Sequence, residues 1–159
     1  MPFPIDPAAR ALADEFMEGL DALLDELVAD PAYLIDDELP ETAGVYLFAD
    51  GDEVLHVGRT RNFSERRKAQ CYLKGTHHSA SAAFKLARQE ARDDGVPLPR
   101  TRKETQSDAG FIPYFDRARQ RFREAEFRFV VIDDPPVQTV FEIYASIALG
   151  LPRELWLTH

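Results

Sequence analysis

The hydrophobic pattern divides the chain into helical stretches and short apolar runs. Across 7–30, PAARALADEFMEGLDALLDELVAD, the residues Leu12, Phe16, Leu20, Leu23, Leu24 and Leu27 recur at helical spacing, with Asp and Glu filling the opposite side. That spacing predicts an amphipathic helix. Residues 31–42, with Pro31, Pro40 and the DDELPE run, read as a connecting loop. Two apolar runs follow at 44–49 and 53–57, and Asp50-Gly51 between them signals a β-hairpin, because glycine accepts the positive φ of a tight turn. Asn62-x-x-Glu65 resembles a capping box that opens a helix running to about Leu73, and a further helix is predicted over 79–93, closing at Gly95.

Residues 94–112, rich in Pro, Gly and basic side chains, are expected to form a long irregular connection. Phe115, Ala118 and Phe122 are spaced for burial on a helix over 113–124, which leaves Arg117, Arg119, Arg121 and Arg123 largely outward. Phe127, Phe129 and Val131 then alternate with Arg128, Val130 and Ile132 in a third strand. In the last predicted helix, 137–149, apolar residues cover most of the circumference. Only Gln138, Thr139, Glu142 and Ser146 share a polar strip, so this helix should be largely buried. The elements together predict an α/β fold: a small antiparallel or mixed central sheet of at least three strands, flanked by helices and preceded by an extra acidic helix. The expected division places that helix and its loop in 1–41 and a compact domain in 42–159.

At 159 residues and 45% hydrophobic content, the chain can bury the core of one domain. No apolar stretch approaches the roughly 18–20 residues needed to span a membrane. The first sixteen residues lack a basic segment followed by an apolar one and do not read as a secretory signal. Cys71 is the only cysteine, which excludes an internal disulfide and a multi-cysteine zinc site. These features suit a soluble cytoplasmic protein. The net charge of −9 conceals a strong polarity: residues 1–55 carry one basic and fifteen acidic residues, whereas 66–125 carry fourteen basic and seven acidic. The acidic half is a solvated surface, a counterweight to the basic half, or a docking site for a basic protein partner.

Within the hairpin and the helix after it, Gly44-Val45-Tyr46, His56-Val57-Gly58, Asn62-Phe63 and Arg66 stand in a register that resembles the GIY-YIG nuclease family. The likeness covers about 42–159 and extends to Glu142 on the last predicted helix. His56 departs from it, standing where the family usually has a second tyrosine. The resemblance implies a metal-dependent endonuclease that hydrolyses phosphodiester bonds in DNA with one divalent ion, Mg²⁺ or alternatively Mn²⁺. Arg66 would hold the charge developing on the scissile phosphate, Tyr46 and His56 would handle the attacking water, and Glu142 would bind the metal. Which of Tyr46 and His56 takes the proton stays open, since a phenol is a weak base at pH 7 and an imidazole a credible one.

The position of Arg66 carries a separate argument. A cation early in a helix opposes the macrodipole at a cost of about 1 kcal/mol or less. A docked phosphate converts that liability into an anion site of N–H groups and guanidinium. Arg59 reads as a second phosphate contact, and Arg61 and Arg67 as non-specific phosphate contacts or plain surface charge. Arg100, Arg102, Lys103 and the arginines of 117–123 would track a nucleic-acid backbone or simply face solvent. Trp156 with Thr158-His159 stands where it would cover a cleft, or Trp156 simply packs. Two other readings share the fold: a catalytically inactive nucleic-acid-binding module, and a protein-interaction domain whose acidic helix binds a basic partner or covers its own basic cleft.

Overall fold

The hairpin forms the centre of the structure. A computed structural model describes residues 4–29 and 31–156. Strand β1 (Gly44–Asp50) pairs antiparallel with β2 (Glu53–Thr60) on one side and with β3 (Glu126–Val131) on the other, giving the sheet order β2-β1-β3. The turn sits one residue later than the Asp50-Gly51 dipeptide suggests. Asp50 already pairs with Glu53, so the loop is Gly51-Asp52, with Gly51 at φ +59°. An irregularity between Phe48 and Ala49 shifts the register just before this turn.

Strand alternation sends Tyr46, Phe48, His56, Gly58, Phe127 and Phe129 to one face, and Val45, Leu47, Val57, Arg59, Arg128 and Val130 to the other. Against the aromatic face lie α2 (Phe63–Gln70), α3 (Ser81–Asp93) and α5 (Ile112–Glu124). The Phe122 ring of α5 stands 5.0 Å from Phe48, and Phe63 of α2 stands 4.6 Å from Phe129. Phe115, Ala118 and Phe122 are buried as their spacing requires. Against the second face lie α1 (Pro7–Val28) and α6 (Pro135–Ala148), with Arg128 donating to the carbonyls of Val28 and Ala29 at the end of α1. The sheet is therefore covered on both faces, the α/β arrangement that the alternation and the helical stretches imply.

Several boundaries differ from expectation, each for a local reason. Helix α2 stops at Gln70 rather than near Leu73. Helix α3 starts at Ser81 rather than Ser79, whose hydroxyl instead accepts the backbone N–H of Thr76. The connection 94–112 is not wholly irregular: it contains a short helix, α4 (Arg102–Gln106), closed by a reciprocal capping box between Thr101 and Glu104. That Thr-x-x-Glu signal is visible in the sequence.

The proposed division at residue 41 does not separate two bodies. Leu20 and Leu27 of α1 join the same core as the strands, and Tyr33 bridges to Phe127. Only the C-terminal half of α1 reaches β3 and α6, so Leu12 stays 67% exposed although it continues the same stripe.

Helix α6 buries Phe141 and Ala145 but is less buried than expected. Gln138, Glu142 and Ser146 are buried, while Val140, Ile143 and Ile147 are exposed. The polar strip is tolerated inside because Gln138 donates to the Ile132 carbonyl at 2.6 Å and Ser146 to the Glu142 carbonyl at 2.7 Å, while Glu142 meets an arginine.

Gly19 lies in the interior of α1 with open space where a Cβ would go. Gly19→Ala is expected to raise the unfolding free energy by about 0.5–1 kcal/mol through backbone entropy, as measured by urea denaturation.

Candidate functional site at the end of strand β2

Two absent side chains set the geometry. A Cβ on Gly58 would stand 2.7 Å from both the Tyr46 hydroxyl and His56 Nε2, so only glycine lets these rings cross β2. A Cβ on Gly44 would collide with the Val130 carbonyl and stand 2.7 Å from the Phe63 ring. That vacancy seats Phe63 against the sheet and fixes where α2 begins. Asn62 caps the helix, its side-chain oxygen accepting the Glu65 N–H at 3.0 Å. Arg66 follows one turn into α2.

Tyr46 and His56 form a buried pair, with the hydroxyl 3.4 Å from Nε2 and both residues at most 1% exposed. Burial pushes the Tyr46 phenol well above its ordinary range; the positive charge of Arg66 opposes this and the negative charge of Glu142 adds to it. Burial, together with the charges of Lys85 and Arg66, lowers the His56 pKa to about 3. Both groups are therefore neutral at pH 7. With its proton on Nδ1, the imidazole accepts from the phenol, whose oxygen keeps a lone pair.

Arg66 lines a cavity of about 690 Å³ with Arg59, Thr60, Arg61, Asn62, Glu65 and Gln138. Arg66 is half-buried and Arg61 exposed, and neither guanidinium has a hydrogen-bond or ion-pair partner among the described residues. The mouth of the cavity thus combines the N-terminus of an eight-residue helix with three guanidinium groups, an arrangement suited to a phosphate. Glu65 and Asp133 also line it, so its field is mixed rather than uniformly positive.

Glu142 approaches from the other layer. Its Oε2 lies 3.2 Å from Arg59 Nε, and its Oε1 is buried without a hydrogen-bond partner. Burial raises its pKa; the charge of Arg59, hydrogen bonding from its side chain and backbone, and then the charge of Lys85 oppose that rise. A buried carboxylate with acceptor capacity left on one oxygen, beside a guanidinium, is chemically able to take a further hydrogen-bond donor or a cation. Among the described residues, no group of three or more His, Cys, Asp or Glu side chains comes together as a metal centre.

Of the four residues singled out for chemistry, only Tyr46 and His56 touch; Arg66 and Glu142 bear on them through charge alone, Arg66 on both and Glu142 on Tyr46. Lys85 of α3 was not singled out, yet its charge acts on both His56 and Glu142. Its ammonium donates to the Trp156 carbonyl. Position 85 is one polar residue on an amphipathic helix, and no local pattern distinguishes it. Trp156 packs half-buried, its indole donating to the Leu151 carbonyl at 2.8 Å; Thr158 and His159 lie outside the described residues.

Other expectations need correction. Arg67 is neither a phosphate contact nor surface charge. It is 7% exposed, and its guanidinium donates to the Leu34 and Asp37 carbonyls, tying the 31–42 loop to α2. One position separates it from Arg66, and a helix turns by about 100° per residue, so the two point to different surroundings. The arginines of α5 are also largely engaged. Arg121 pairs with Asp50, Glu53 and Glu90, Arg117 with Glu90, and Arg119 with Asp116. Nor does α1 cover the cavity, since none of its residues lines it.

No known protein family, curated protein or solved structure matches this chain.

His56 titrates near 6.5 when unfolded and near 3 in the fold, so the unfolded state binds more protons between these values. Stability due to its neutral burial is fully present above about pH 6.5 and falls by about 1.4 kcal/mol per unit as pH drops below it. Urea denaturation at pH 7 and pH 5 should show this component in the wild type and not in His56→Gln. Arg67→Met should cost about 2 kcal/mol by leaving two carbonyls without their donor, whereas Arg61→Met should change stability by less than about 0.5 kcal/mol.

Proposed function

We propose that this chain is an endonuclease that hydrolyses phosphodiester bonds in DNA, with a GIY-YIG-like arrangement of residues. The observation that carries the reading is the unpaired guanidinium of Arg66, which opens on the cavity at the capped start of α2 and is coupled electrostatically to Tyr46 and His56. Phosphoryl transfer concentrates negative charge on equatorial oxygens, and a fixed cation there lowers the barrier without reorganisation.

In this reading Arg66 holds the scissile phosphate, and Arg59 and Arg61 hold the flanking backbone. Tyr46 and His56 act as a neutral positioning pair: the phenol donates to Nε2 and its oxygen orients water. Their burial makes proton abstraction unfavourable to both, so the pair positions the nucleophile rather than ionising it. Glu142 Oε1 would hold a divalent ion, Mg²⁺ or Mn²⁺, which supplies Lewis-acid stabilisation of the phosphoryl oxygens when bound. Arg59 stays beside Oε2, and its charge and hydrogen bonding oppose the rise that burial imposes on the carboxylate's pKa.

A second reading, a nucleic-acid-binding module without chemistry, is favoured by the near-complete burial of Tyr46 and His56. A plasmid-nicking assay with Mg²⁺ or Mn²⁺ separates the two. Cleavage by the wild type is expected, with a loss of about 10²–10³-fold in Arg66→Ala and near-complete loss in Glu142→Gln, both retaining the wild-type circular dichroism. DNA binding without cleavage under either ion would establish the module instead.

A further inference from the structure

Three of the four arginines of α5 are matched by carboxylates: Arg117 by Glu90, Arg119 by Asp116, and Arg121 by Asp50, Glu53 and Glu90. The cations of α3 are matched mostly by one another. Lys85, Arg88 and Arg92 stand at i, i+3 and i+7, one face of the helix. Arg102 of α4 lies beside them: its guanidinium sits 5.1 Å from the centre of the Phe84 ring, and that of Arg88 sits 5.8 Å from the same ring.

The carboxylates of α3 itself are occupied elsewhere. Glu90 binds Arg117 and Arg121, and Asp93 accepts from Gln89 at 2.9 Å. Arg88 Nε is buried with no hydrogen-bond partner, and Arg92 is exposed with no hydrogen-bond or ion-pair partner among the described residues. Burial and the charges of Arg92 and Arg102 press the Arg88 pKa down, with no carboxylate opposing them. Lys85 shows the same pressure, from burial and then Arg102, with Glu142 its counterweight. Four cations held close in a chain of net charge −9 carry a repulsion that an anionic ligand would relieve.

We propose that the face of α3 bearing Lys85, Arg88 and Arg92, with Arg102 beside it, binds the phosphate backbone of the DNA beyond the cavity at α2. This rests on the reading of the chain as acting on DNA. Lys85, coupled to Glu142 and His56, marks the end nearest the site, and Arg92 the far end. The seven-position separation between them rises about 10 Å, the axial span of about three phosphates of one strand. The stripe contributes sequence-independent affinity and direction: it fixes which side of the scissile bond lies along the protein.

The test is the salt dependence of binding to a fluorescein-labelled 20-base-pair duplex, read by anisotropy in EDTA so that no cleavage intervenes. Each lost phosphate contact should lower the slope of log K against log salt by about 0.9. The double variant Arg88→Gln/Arg92→Gln should therefore lose about 1.8 in slope and about 60-fold in affinity near 0.1 M salt. Arg92→Glu, a charge reversal at an exposed position, should weaken binding on its own and guards against misfolding of the double variant. Arg117→Gln, whose charge is already matched by Glu90, should leave both quantities unchanged.

Wild-type slope and affinity retained in both Arg92→Glu and the double variant would overturn the stripe. So would a wild type that binds no duplex. Nicking lost in Glu142→Gln with the slope unchanged in the stripe variants leaves the nuclease standing without the stripe. A reduced slope in a wild-type background that never nicks leaves the stripe standing without the chemistry.

Discussion

Close approach across the β1–β2 hairpin governs the rest of the structure. Gly58 lets Tyr46 and His56 meet where any Cβ would keep them apart, and Gly44 lets Phe63 lie against the strand. The first contact creates a neutral buried polar pair. The second sets the origin of α2, and with it the direction of Arg66. Both depend on the register in which Tyr46 faces Gly58 and Gly44 faces Val131. A slip by one residue would send these side chains to the opposite face and separate Arg66 from the pair.

Charge is partitioned with similar economy. The chain has more acid than base, yet its carboxylates do not neutralise its cations evenly. Asp50, Glu53 and Glu90 gather around Arg121 and pin α5 and α3 to the hairpin end. The carbonyls of the 31–42 loop absorb Arg67. Among the described residues, the guanidinium groups without a hydrogen-bond or ion-pair partner include Arg61 and Arg66 at the cavity and Arg88 and Arg92 on α3, while Arg59 leans on Glu142. A cation's usefulness to a polyanion depends on whether it is already matched, and burial sharpens that distinction because desolvated charges are screened least.

Glu142 shows how one helix serves two demands. Its strip faces inward because Gln138 and Ser146 satisfy themselves against backbone carbonyls and Arg59 meets the carboxylate. One oxygen, Oε1, keeps acceptor capacity inside the fold while Oε2 lies against Arg59. The price is an outer face of Val140, Ile143 and Ile147.

Local signals were enough for part of this. Strand alternation, the glycine turn, the Asn62 cap and the Phe115–Ala118–Phe122 spacing determined three strands and the main helices, because each depends on neighbours within a few residues. The Thr101–Glu104 box was equally local. The resemblance grouped Tyr46, His56, Arg66 and Glu142, of which the fold brings Tyr46 and His56 into direct contact. The sequence could not separate Arg66 from Arg67, or the arginines of α5 from those of α3, because pairing depends on carboxylates and carbonyls up to 71 positions away, as between Asp50 and Arg121. Nor could the helical wheel say which side of α6 turns inward, since its apolar and polar faces compete for a site whose polarity is set by Arg59 on another element. Composition and spacing determined what each segment could form; only the folded chain decided which charges were left without partners.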